Sequence, residues 1–258
     1  MPKKPAQKAF IYNAHGHALS GHIQRPFDQL IEVQAGASLP TIGGHGSARM
    51  DNYQLRHFIS FKSGYSHVSG SQNEKDGSYT TLVSSTVEGL NILDVVTADR
   101  VVARLSCHYI MPNEEPSIIT LGSKFENLRI AGCPVKVELN HDFFLHADTF
   151  EAIRKELASN SDFRKIAEDP FQTGQPHKLS KDPGVVICTL VKSMTTACPG
   201  LKPKVNTVEI PQFGKVFVAE IIAQHSRRTL TMLRLELGSP VCGPVVAAQV
   251  QGNGTTYP

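Results

Sequence analysis

From Ala9 to about Leu139 the chain is written in Gly, Ser, Thr and β-branched residues, punctuated at short intervals by clusters of turn formers. No apolar face recurs there at helical spacing. Side chains of this kind fit a pleated, half-buried surface, so this stretch constrains the chain to an all-β architecture. Strands are expected at Ala9 to His22, Phe27 to Ala35, Tyr53 to Ser63, Tyr79 to Leu93, Arg100 to Ile110, Ile118 to Leu121, Lys124 to Ile130 and Val135 to Leu139. Breakers fall between them at Gly43-Gly44-His45-Gly46, Asn73 to Ser78 and Pro112 to Pro116.

Two segments resemble each other, Val87-Glu88-Gly89-Leu90-Asn91-Ile92 and Phe125-Glu126-Asn127-Leu128-Arg129-Ile130. Each precedes a short turn and another apolar strand, which suggests stacked hairpins. Plain alternation places Val87 with Gly89 on one face, and Leu90 with Ile92 on the other.

The β pattern breaks at 148–169, where Asp148-x-x-Glu151 reads as a capping box and Phe150, Ile153 and Leu157 share a helical face. A second short helix is expected at Asp162 to Ala167, and the pair reads as a helical insertion lying on the sheet. Pro170 ends the helical stretch, Phe171 to Pro183 is loop, and β structure resumes at Gly184. The clearest hairpin joins Lys215 to Ala223 with Thr229 to Leu237 around a five-residue turn. That pairing sets Phe217, Ala219 and Ile221 beside Leu233 and Leu235, and leaves Glu220 near Arg234 on a second, solvent-exposed face. A last strand is expected at Val245 to Val250. The organisation is therefore a basic flexible tail at 1–8, a single β-rich domain at 9–250, built as an antiparallel sandwich or stacked hairpins, and a flexible tail at 251–258.

The chain has 258 residues and a formal net charge of +3, with no face-long basic stripe, so nucleic acid is not an expected partner. No apolar run approaches the roughly 18 residues a membrane helix needs. The start, MPKKPAQK, lacks the apolar core of a secretory signal, so the chain as written is expected in the cytoplasm. Five cysteines at 107, 133, 188, 198 and 242 form no C-x-x-C and are expected to be mostly buried thiols; Cys188 with Cys198 is the one bridge worth naming.

Chemistry-bearing patterns are sparse. His15 and His17 project from one side of a strand, as in a β-sheet metal site, with His22 opposite unless a bulge intervenes. A third ligand would have to come from the region of His141 and His146. Ser66 and His67 are neighbours in a strand and point to opposite faces, so they form no catalytic pair. The glycines at 43–46 lack the ending of a phosphate loop, and Glu114-Glu115 lies among prolines where both carboxylates would be solvated. With no Trp and 7% aromatic residues, a stacking platform for sugars is poorly supplied. No catalytic, cofactor-binding or metal residue is assigned.

The paired VEGLNIL and KFENLRIAGCPV turns, and FGKVFVAEII followed by a Leu-rich strand, resemble the choice-of-anchor type bacterial surface proteins over roughly Ala9 to Leu139 and Val208 to Val250. The resemblance implies a non-enzymatic envelope or assembly domain, at the cell surface if a signal was removed, and transfers no catalytic residues. The expected function is a structural or interaction module that self-associates as a homo-oligomer through sheet edges or an apolar surface patch. Val185 to Leu190 and Val245 to Val250 are the strands lacking a Lys or Pro guard. The alternatives are a small-ligand or metal-binding β domain using His15 and His17, and an enzyme whose site is assembled from distant residues.

Overall fold

A computed structural model describes residues 10–111 and 115–256; the basic segment at 1–8 and residues 257–258 lie outside the described residues. The chain builds β1 (Phe10–Ile23), β2 (Gln29–Gln34), β3 (Ala37–Ser38), β4 (Gly44–Leu55), β5 (Ile59–Gln72), β6 (Tyr79–Ile92) and β7 (Val96–Tyr109). Short strands follow: β8 (Ser117–Ile119), β9 (Lys124–Glu126), β10 (Arg129–Ile130) and β11 (Cys133–Leu139). Helices α1 (His141–His146), α2 (Phe150–Ser159) and α3 (Ser161–Glu168) interrupt the strands. The remainder is β12 (Val185–Thr189), β13 (Val191–Thr196), β14 (Thr207–Ile210), β15 (Gly214–Gln224), β16 (Arg227–Leu237) and β17 (Gly243–Thr256).

Among the described residues these strands form two antiparallel sheets packed face to face as a sandwich. One runs β12-β15-β16-β17-β1-β2, with β14 on β15 and β3 on β1; the other runs β13-β11-β10-β7-β6-β5-β4, with β8 and β9 on β7. Between them Leu19, Val83, Val87, Val101, Leu233 and Val250 are shut off from solvent. Burial of such side chains contributes roughly 1.5 to 3 kcal/mol each, and supplies the drive that closes the two sheets.

Both sheets are crossed by a line of unpaired positions. Asp51 pairs with Ser63 and Tyr53 with Phe61, leaving Asn52 opposite Lys62. Glu88 pairs with Arg100 and Leu90 with Ala98, leaving Gly89 opposite Asp99. In the other sheet Ala219 faces Met232, and Met232 faces Ala248, which faces Ala18. Asn52, Gly89, Asn127, Ala219 and Ala248 all have positive φ. A left-handed residue bends the strand and resets which side chains face inward. The alternation expected around Gly89 is therefore corrected: Val87, Leu90 and Ile92 all face the core.

Several boundaries differ for the same kind of reason. The strand expected at Tyr53 to Ser63 straddles a turn at residues 56–58, with Arg56 at positive φ; it is the end of β4 and the start of β5. The glycines at 43–46, read as a breaker, lead into β4. The hairpin between β15 and β16 is tighter than expected, since Gln224 pairs with Arg227. The kink at Ala219 sets Phe217 opposite Arg234, on the same side as Glu220. That side is covered rather than exposed: Glu220 is 6% exposed, Arg234 lies 3.8 Å over the Phe217 ring, and Phe171 meets Phe217 edge-on.

The final strand runs past Val250 to Thr256, so residues 251–256 are sheet and not a flexible tail: Gln251 pairs with His15 on one side and Thr229 on the other. Its first residue, Gly243, has φ +136, and a Cβ there would stand 1.9 Å from the His22 carbonyl oxygen. Gly243→Ala is expected to cost about 2 to 3 kcal/mol, because alanine meets both backbone strain and an immovable carbonyl. A shift in the urea unfolding midpoint measures this, and a variant as stable as the parent refutes it.

The helical insertion begins earlier than expected, at α1. The cap of α2 is Thr149, whose hydroxyl accepts from the Ala152 amide, while Asp148 accepts from the Ser117 hydroxyl. Phe150, Ile153 and Leu157 are buried as their spacing predicts, and the Asn160 side chain caps α3.

Candidate functional site

The histidines singled out by their spacing lie on the face of β1 turned away from the core. His17 Nε2 sits 2.8 Å from the Ser20 hydroxyl, and His17 pairs with Gln249 of β17. Burial, with a smaller contribution from His15, pushes His17 down to about 4, so it is neutral at physiological pH. His15 is lowered by burial and by Arg227. His22 is engaged by Asp28. His141 lies 3.1 Å from the Ser123 carbonyl oxygen, and His146 2.7 Å from that of Asp142. Among the described residues no group of three His, Cys, Asp or Glu side chains is placed to hold a metal.

Ser66 is buried and donates to Ser85 at 3.1 Å, while His67 is exposed. The two point apart, as a strand requires. The cysteine expectation is corrected: the bridge joins Cys133 to Cys198, with Cα atoms 6.0 Å apart. β11 pairs with β13 as Val135 with Thr196, and continuing that register by two residues brings Cys133 opposite Cys198. Cys188 instead points into the core from β12 in the other sheet. Burial pushes both Cys107 and Cys188 up to about 12, which leaves them as inert thiols.

A buried cation ties the helical insertion to the sandwich. Arg228 of β16 is 2% exposed and donates to the carbonyls of Ile118 at 2.5 Å, Ala147 at 2.7 Å and Thr149 at 3.2 Å. Burial lowers it to about 10, and it stays charged at neutral pH. Beside it Glu115 departs from the solvated carboxylate expected for this loop. Its Oε2 accepts from the Phe150 and Glu151 amides at the start of α2, and its Oε1 lies 2.8 Å from His225 Nδ1. Glu114 lies outside the described residues.

The sheet edges are distributed differently from the expectation. Val245 to Val250 lies inside the sheet, between β16 and β1, and offers no edge. Val185 to Thr189 does form an edge strand, β12, but α3 packs against it. Among the described residues the long open edge is β4, which pairs with β5 alone and exposes most of its side chains. β2 is the edge of the opposing sheet on that same side of the sandwich, since β1 packs over β5 and β6, and β3 lies against β4. Leu30 and Val33 on β2 and Met50 on β4 are exposed, and so is Ile42 in the turn before β4, at 90%. Scattered apolar side chains on a surface are ordinary, but four on adjoining edges accompany an unpaired strand.

The fold and its edges define a two-sheet antiparallel β-sandwich with a clamped helical insertion. Residues 10–224 match the family model of a domain of unknown function, DUF8256, and the chain belongs to that family. No curated protein and no solved structure matches it. The matched segment ends at the β15–β16 turn, yet β16 and β17 are the strands that join β15 to β1. No helix among the described residues is long and apolar enough to cross a membrane.

Proposed function

We propose that the protein is a non-enzymatic assembly module that pairs with a second copy of itself along β4. The observation that carries this reading is the twelve-residue strand Gly44–Leu55 hydrogen-bonded on one side only. An edge of this length offers a row of backbone donors and acceptors, and main-chain pairing supplies affinity in strand addition. The exposed Leu30, Val33, Ile42 and Met50 add apolar surface on the same side. Arg49 and Asp51, joined at 2.9 Å, and the kink at Asn52 limit open-ended stacking and favour a closed pair over a fibre.

An envelope setting belongs to this proposal. The resemblance to choice-of-anchor surface proteins supports it, and so does the Cys133–Cys198 bond, because such bonds persist in oxidising compartments.

The test is light scattering on a size-exclusion column over a dilution series. The parent is expected to run as a dimer that dissociates on dilution. Met50→Lys, at an exposed edge position, is expected to weaken association by about tenfold or more, as an edge lysine must be desolvated to pair, with the unfolding temperature unchanged. A parent that stays monomeric at high concentration overturns the reading.

A further inference from the structure

A cleft of about 370 Å³ opens between α2, α3 and the segment at 178–183, far in sequence from the β4 edge. Four cations line it, Arg154, Arg164, Lys178 and Lys181, with Glu168 as the acid of the lining; Arg154 is already answered by Glu151 and Asp182, so the other three stand against Glu168 with an excess of 3 − 1 = +2. Arg154 spends its two terminal nitrogens on Glu151 at 3.2 Å and Asp182 at 3.1 Å, and its Nε–H is shut off from solvent, so it shapes the cleft and the free donors are those of the other three cations. Arg164 donates through Nε to the Leu157 carbonyl at 2.7 Å, which holds its guanidinium at the cleft, and its terminal nitrogens meet no acceptor among the described residues. Lys178 and Lys181 are exposed and enter no ion pair among the described residues. Leu157, Leu179 and Pro183 give the same cleft an apolar wall.

We propose that this cleft binds a small phosphate monoester with an apolar body. A phosphate dianion answers the excess of two positive charges better than a carboxylate does, and the Arg164 guanidinium can bind its oxygens as a paired donor. The apolar wall beside the charges selects an ester over the free ion, and the volume is at the small end of ligand sites. Glu168 at the rim disfavours longer polyanions by repulsion.

Isothermal titration of the full chain with phenyl phosphate tests the proposal. Saturable one-to-one binding is expected, weakening as salt rises, with inorganic phosphate several-fold weaker and phenol silent. Lys178→Ala combined with Lys181→Ala is expected to weaken phenyl phosphate by about tenfold or more, the loss of two charge-assisted contacts. Because neither lysine has an ion-pair partner among the described residues, the unfolding temperature should not move. Lys62→Ala, on the opposite sheet, should leave affinity unchanged. No saturation at millimolar ligand, inorganic phosphate binding as tightly as the ester, or equal loss in all lysine variants overturns the assignment.

Discussion

Arg228→Met is expected to destabilise the protein by about 3 to 5 kcal/mol, the range for removing the charged partner from a buried, hydrogen-bonded arrangement. Methionine nearly matches the arginine stem in volume, so packing is largely kept and the loss reports on the guanidinium. Without it the carbonyls of Ile118, Ala147 and Thr149 lose the guanidinium that holds them together, although that of Thr149 keeps the Ile153 amide, and Glu115 and Asp148 lose the cation that balances them. Arg228→Lys is expected to recover only part of the loss, since an ammonium lacks the fork that reaches three carbonyls on two segments. Because those carbonyls lie on β8 and on the turn between α1 and α2, hydrogen exchange at residues 147–159 should rise before the sheets open. Denaturant midpoints for the three proteins settle the matter: a methionine variant within about 1 kcal/mol of the parent would show that the contacts are incidental.

How far the sequence reveals this architecture depends on which residues set the local geometry. Val96, Ala98, Val101, Ala103 and Leu105 all face the core of β7, and their alternation slips by one between Ala98 and Val101. Read as a uniform period of two, such a strand is recognised but half of it is assigned to the wrong face. Some of the kinks have a signature: Asn52, Gly89 and Asn127 are residue types that tolerate positive φ, each following an acidic residue. Ala219 and Ala248 have none. An alanine there costs about 1 to 2 kcal/mol of local strain, and only the ladders on both sides hold it in place. The helices are legible because Phe150, Ile153 and Leu157 lie within one short window. Their clamp is not, since Arg228 and Glu115 are 113 positions apart and each looks like an ordinary surface charge in its own neighbourhood.

The functional surfaces divide in the same way. Whether a strand is an edge is a property of sheet order, which local composition does not encode. Val245 to Val250 and Val185 to Thr189 carry equally unguarded apolar text, yet one ends up central and the other beside α3. Conversely the Gly- and Ser-rich start of β4 conceals a long strand, because small residues satisfy turns and exposed edges alike. The basic cleft gathers residues from 154 to 183, and its cations are visible only as scattered charges until α2 and α3 fold against each other.

The second large effect is expected at the disulfide. Cys133 and Cys198 are 65 positions apart, so the bond closes a loop containing α1, α2, α3, β12 and β13. Restricting the unfolded chain over a loop of that length corresponds to about 4 kcal/mol in the chain-entropy model. The bond also fastens β13, an edge strand that otherwise depends on β11, a strand whose own inner neighbour is the two-residue β10. Cys133→Ser with Cys198→Ser should therefore lower stability by about 3 to 4 kcal/mol under oxidising conditions, and the parent in reductant should fall to the same level. The double variant should be indifferent to reductant, because Cys107, Cys188 and Cys242 are free thiols and leave no second bond to reduce. Loss should begin locally, with β13 and the end of β11 exchanging amide protons first, since β15, β16 and β17 hold the opposing sheet without them. A parent whose unfolding midpoint is the same with and without reductant, when mass spectrometry shows the bond broken, would sink this account and leave the β11–β13 pairing to side-chain contacts alone.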